Sequence, residues 1–426
     1  MVSVNRFLQR FVFGISAFIF VAVVLGFAAG AFGWFGVRAG SDQDGAYRQM
    51  RVYAEVLKKI QTDYVTDASV TDVTTGALHG LLDSLDADSS YLTPTEYKIF
   101  KEHRDKDNVQ VGLVLSRRFG YAVIVTVEPG SAAEKEHLSD GDVIESIDGQ
   151  STHELSLAVM RLMLEGKAGS TVALSVVRSR KQDADKITLT RGVSSPPALA
   201  EQLLDNGKVL YLKPGILTAA RVSELAAKIR EEGKSRKIIL DLRETALGEP
   251  ANGLLLANLF IKQGTMAALG GQKFPLQTFV ADPTKTITDS GLVVLVNHGT
   301  SGAAELTAAA IAGLKRGDVV GEKTFGEGSV QKTIELPDGA ALILTVAKYS
   351  APDGKKIQDE AVTPTVAVGE KNDEDIDESA PAPAKSTEPA SAKTPSAPVK
   401  TAPASAPKSD EILDKALELM RAKTTA

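Results

Sequence analysis

Residues 296–314, VNHGTSGAAELTAAAIAGL, read as a buried strand, a tight turn and a helix whose first turn is small residues. A strand-to-helix turn of this kind can present a nucleophile, and the one on offer is Ser301, followed at once by Gly302. A reactive serine needs a base within hydrogen-bond reach and donors aimed at the oxyanion it creates. His298 could meet Ser301 at the turn, but no acid stands out to orient the ring. Lys323 and Glu327 follow in GEKTFGEG, where Lys323 reads as a surface or structural lysine. Cysteine is absent, which excludes disulfides, thiolate catalysis and Cys-ligated metals together. The five histidines, 79, 103, 137, 153 and 298, form no HExxH-type pair, so neither a metal site nor a cofactor is expected.

Such a site must be positioned by a folded frame, and 426 residues exceed what one core usually serves. Hydrophobic content of 43% and charged content of 24% are those of a globular chain. A balance of 48 basic and 54 acidic residues, with no basic stripe, argues against nucleic acid as a partner. Residues 11–37 carry no charge, enough to cross a bilayer as a helix, with Arg6 and Arg10 before them. The positive-inside rule places residues 1–10 in the cytoplasm and the bulk of the chain outside it. An uncleaved anchor is expected, with a cleaved signal peptide as the alternative.

The rest divides by pattern into a multidomain α/β chain. Residues 47–108 have helical periodicity, with Met50, Tyr53, Val56, Leu57 and Ile60 on one stripe, and form a helical lead-in. Residues 109–192 switch to short strands with turns and one helix near 155–165, a compact β module. Residues 200–368 alternate strands (VLYLKPGIL, KIILDLR, LVVLVN) with helical stretches 219–232, 250–262 and 303–313, an α/β layer architecture. SVQKTIELP and AALILTVAKY flank the turn PDG and predict a hairpin. Residues 370–408 are acidic, then Pro/Ala/Ser/Thr/Lys-rich, and are expected to be a disordered linker. Residues 409–423 predict a terminal helix with Ile412, Ala416, Leu417 and Met420 on a stripe, either a docking element or a solvated, marginal helix.

The run GSAAE…L…GDVIESIDG resembles the PDZ domain. The resemblance implies that a protein's C-terminal tail extends the sheet along VQVGLVL, with Val111, Gly112, Leu113 and Val114 as the peptide-binding strand. Gly112 fits a close approach to the terminal carboxylate, with an ordinary edge glycine as the alternative.

LDADSSYLTPTEY, the PDZ-like region, IILDLR, VNHGTSGAAEL, GEKTFGEGSVQ and LTVAKYSAPDGKKIQ occur in the order found in carboxyl-terminal processing, or tail-specific, peptidases, which the chain resembles over residues 47–368. The resemblance implies a ClpP/crotonase-like α/β peptidase domain and a Ser/Lys dyad. It places Gly302 on the family's nucleophile, Glu327 on its lysine base and Gln331 on a glutamine beyond the base. It places Leu247, in ETALGEP, on the first glycine of the oxyanion loop, where leucine cannot adopt glycine's positive φ. Three catalytic features are altered together, which predicts a catalytically silent member. A one-residue offset at a helix start turns a side chain by about 100°, so Ser301 is expected to point away from the family's site. The function expected is a membrane-anchored pseudoprotease that binds protein C-termini, unfolded protein or an active family protease. The alternatives are an active endopeptidase using Ser301 and an architectural protein whose linker and terminal helix recruit partners.

Overall fold

The computed structural model describes residues 41–104, 108–118, 120–178, 183–194, 197–233, 235–358, 360–369 and 410–422. The expected cytoplasmic segment, membrane anchor and linker lie outside the described residues, among which no helix is long and apolar enough to cross a membrane. Residues up to 78 form one unit and those from 79 onward another. The first holds α1 (Ser41–Asp63) and the start of α2 (Val70–Asp83). Met50, Tyr53 and Val56, one helical stripe in the sequence, are exposed on α1.

The lead-in is not helical throughout. Ser90–Leu92 forms strand β1, followed by α3 (Pro94–Arg104). Thr93 starts that helix with a capping box: its N–H and hydroxyl donate to Glu96 Oε2 at 2.7 and 2.8 Å, and Glu96 N–H donates back to Thr93 Oγ1 at 3.3 Å. Pro94 occupies the first helical turn, where a missing N–H costs nothing.

The β module contains β2 (Leu113–Arg118), β3 (Tyr121–Val127), α4 (Ala132–Lys135), β4 (Val143–Ile147), β5 (Gln150–Ser151), α5 (Leu157–Leu164), β6 (Thr171–Val177) and β7 (Asp185–Thr190). Its sheet runs β2-β3-β4-β6-β7, with β5 beside β4, so β2 lies at an edge. Leu115, Ile124, Ile144, Met160, Leu164 and Leu174 fill its core.

The α/β module begins with β8 (Ala200–Leu204), β9 (Val209–Lys213), α6 (Ala219–Glu232), β10 (Lys237–Asp241) and α7 (Pro250–Asn258). It continues through β11 (Thr265–Gly270), β12 (Gln277–Val280), β13 (Leu292–Val296), α8 (Ala303–Gly313) and β14 (Asp318–Gly321). It closes with β15 (Ser329–Glu335), β16 (Ala341–Ser350), β17 (Val366–Ala367) and α9 (Glu411–Ala422). One sheet has the order β17-β14-β13-β10-β9-β8, parallel from β9 through β17. A second sheet orders β1-β16-β11-β12, with β15 pairing β16 as the expected hairpin.

Alternation along the parallel strands explains the layers. Leu210, Leu212, Ile238, Leu240, Val294 and Val296 face α6, α7 and α8 in the largest core cluster. Their neighbours Val209, Ile239, Val293, Leu295 and Val320 face the other way and pack on Ala416 and Met420 of α9. Parallel strands apolar on both faces require two covers, and the terminal helix is the second. Arg243 fixes its start, bridging Asp241 and Asp410, with Nη1 and Nη2 donating to the Asp410 carboxylate at 2.8 and 2.9 Å.

Candidate functional site

The site sits where β13 ends and α8 begins. Asn297 N–H donates to Thr300 Oγ1 at 3.0 Å, and Thr300 Oγ1 donates to Leu242 O at 3.0 Å, tying the turn to the end of β10. Gly302 is the N-cap of α8 with φ 57° and ψ −114°. This region is strained for any residue with a Cβ and recurs at turns that present nucleophiles. A Cβ built on Gly302 would meet nothing nearer than Ala246 O at 3.9 Å and Glu327 Oε2 at 4.0 Å. The backbone therefore still aims position 302 at the side chain of Glu327, while glycine supplies no atom to react.

Ser301 does not point away. It precedes the helix, so the 100° helical rotation does not apply to it, and its fully buried hydroxyl donates to Glu327 Oε2 at 2.6 Å. Charged acceptors make such O–H···O contacts short. Ser301 thus meets the residue at the family's base position, though as a serine that is inaccessible.

The backbone donors of the turn are engaged. Ser301 N–H donates to Thr245 O at 3.1 Å and Gly302 N–H to Glu305 Oε2 at 3.0 Å. The loop after β10 turns carbonyls, those of Thr245 and Ala246, toward the elbow. Its positive φ values fall on Glu244 (58°) and Gly248 (151°), so Leu247 is spared the conformation that only glycine takes freely.

Glu305 organises this region. It is fully buried and accepts from Gly326 N–H and Glu327 N–H at 2.7 Å each, from Gly302 N–H, and from the Thr324 hydroxyl. Burial pushes its carboxyl up to about 8 against the downward pull of these donors. Sequence reasoning passed over it, although a glutamate three residues after an N-cap is a capping signal visible in GAAE. Glu244 was also missed. Its N–H donates to Asn297 Oδ1 at 3.2 Å, its carboxylate accepts from Asn297 Nδ2, and Thr126 of β3 donates to it at 3.4 Å. Burial raises its pKa, opposed first by the Asn297 hydrogen bond.

The remaining predicted residues spread out. Gln331 is exposed on β15 beside a bulge and donates to Ser329 Oγ at 2.6 Å, outside the cleft that holds Glu327. His298 and Lys323 are exposed and line that cleft. Val111 is buried, and its carbonyl accepts from Ala133 N–H at 3.1 Å. Gly112 has φ 85°, and a Cβ on it would lie 2.0 Å from Ser131 Cβ, so packing alone requires glycine here. Leu113 and Val114 open β2 opposite Val127 and Thr126.

Among the described residues no cluster of three or more acidic or histidine side chains could hold a metal. Residues 208–368 match the family model "Peptidase family S41" and residues 100–190 match "PDZ domain". A carboxy-terminal-processing protease of Bartonella bacilliformis is 26% identical over 335 residues, 77% of this chain and 77% of that one. A carboxyl-terminal-processing protease of Picosynechococcus sp. is 32% identical over 283 residues, 65% of this chain and 68% of that one. The solved photosystem II D1 C-terminal processing protease shares the fold, with a TM-score of 0.61 at 24% identity over 74% of this chain and 92% of that one.

Proposed function

The chain belongs to peptidase family S41, as a PDZ-containing relative of the carboxyl-terminal processing proteases, and on that premise we propose that it captures protein C-termini without cleaving them. The observation that carries this is the elbow: position 302 keeps a nucleophile's backbone, holds glycine, and spends its N–H on the Glu305 carboxylate. An oxyanion there would lack that donor and would face a carboxyl group instead. Binding is supported by β2, an edge strand that Gly112 precedes and Leu113 opens, where a tail can add by main-chain hydrogen bonds. We further propose anchoring through residues 11–37, whose uncharged run follows Arg6 and Arg10, with the folded part outside the cytoplasm. An active family protease is a fitting partner for a scaffold of this kind.

The 2.6 Å contact of Ser301 with Glu327 favours a second reading, a rearranged peptidase with a serine-carboxylate pair. Incubating the purified chain with an unfolded protein bearing an apolar C-terminus separates the two. We expect no cleavage by the wild type or by Ser301→Ala; cleavage that disappears in Ser301→Ala would sink the pseudoprotease reading. Apolar C-terminal peptides should bind better than their amidated forms, and equal affinity would remove carboxylate capture.

A further inference from the structure

Between the edge of β2 and the loop carrying Glu327 lies a cleft of about 440 Å³ with four basic side chains, Arg117, Arg118, Arg161 and Lys323. Two are balanced within the fold: Arg117 pairs with Asp83, and Arg161 lies 3.6 Å from Asp88 while donating to Leu115 O at 3.2 Å. The cleft's two carboxylates are engaged as well. Asp88 accepts from Ser329 and Gln358, and Glu327 accepts from Ser301. Arg118 is different: it is exposed, lies over the Phe325 ring at 4.8 Å and has no carboxylate partner among the described residues. Lys323 is exposed and likewise unpaired there. The cleft therefore presents two uncompensated cations beside a peptide-binding edge.

The direction of the strand says what would meet them. A tail added antiparallel to β2 with its carboxylate near Gly112 runs its upstream residues past Leu115 and Ser116 toward Arg118. At one residue per strand position Arg118 lies five steps beyond Leu113, and the bulge residue, Val125, is on β3 and leaves this count unchanged, so the tail residue reaching Arg118 is about the fifth or sixth from the C-terminus. We infer that the cleft selects protein tails carrying Asp or Glu at about the fifth or sixth position from an apolar C-terminus, with Arg118 and Lys323 as the reading residues. This rests on the C-terminus capture proposed above. Arg161 must release Leu115 O as the tail pairs with that part of the edge.

The test is a fluorescence anisotropy titration of the full chain with N-terminally labelled decapeptides. The peptides carry Glu-Glu, Gln-Gln or Lys-Lys at the fifth and sixth positions from the end, each as free acid and as amide. The Glu-Glu free acid should bind about fivefold more tightly than Gln-Gln at low salt, with the difference shrinking as salt rises. The exposed double substitution Arg118→Glu/Lys323→Glu should turn the preference toward Lys-Lys. Equal affinity for all three free acids, each better than its amide, overturns the acidic selection and leaves capture standing. Equal binding of acids and amides, or none, overturns capture and this inference with it.

Discussion

Replacing Glu305 with glutamine tests whether the buried carboxyl at the elbow is held protonated. Burial lifts its pKa from 4.5 to about 8, so the folded chain keeps a proton that the unfolded chain releases above about pH 4.5. The stability this contributes is fully present below that pH and is lost as pH rises through about 8. The slope is about 1.4 kcal/mol per pH unit for one proton, on the order of 4 kcal/mol across the window. In Glu305→Gln one amide N–H can reach Thr324 Oγ1, but the amide then confronts the Gly326 N–H. Orphaning that donor costs about 1–3 kcal/mol. Urea denaturation of both proteins, followed by circular dichroism at pH 5, 6, 7 and 8, should show the variant weaker at pH 5, the gap closing as pH rises and the order reversing by pH 8. A gap of constant size across the range would refute a protonated Glu305.

Three further outcomes are expected. Gly302→Ser has room for its Cβ but inherits φ 57°, and should cost about 1–3 kcal/mol in denaturation while leaving the fold intact by circular dichroism. Gly112→Ala meets Ser131 at 2.0 Å with φ 85°, so it should lose more than about 2 kcal/mol and bind apolar C-terminal peptides at least tenfold more weakly. Met420→Ala, buried between α9 and the sheet, should cost about 2–4 kcal/mol and speed proteolytic removal of the terminal helix.

Much of the frame was legible because periodicity dominates where burial is one-sided. The helix starts at 219, 250 and 303 and the β15–β16 hairpin follow directly from apolar spacing and turn residues. Strand β1 was hidden, since SYL is too short to show alternation and takes its register from β16, some 250 residues away. At the site, the empty position 302 was readable from the order of motifs, whereas the Ser301–Glu327 contact was not. It depends on the serine lying outside the helix, and on a loop 26 residues downstream folding back onto the turn. Glu305 and Glu244 went unnoticed for a similar reason, because the Gly326 and Glu327 N–H groups that Glu305 meets, and the Asn297 and Thr126 side chains that Glu244 meets, are brought near only by the folded chain.

The sheet face beneath α9 has a consequence for a broken chain. A cut anywhere between residues 370 and 409 would leave residues 410–422 held only by non-covalent contacts, among them Met420 and Ala416 on the sheet and the Arg243–Asp410 and Arg421–Asp205 pairs, so a tethered contact would become a bimolecular one. The severed helix would then bind according to its concentration. A synthetic copy of residues 410–422 added to the clipped protein should re-cover Val293 and Leu295, making the terminal helix an exchangeable part.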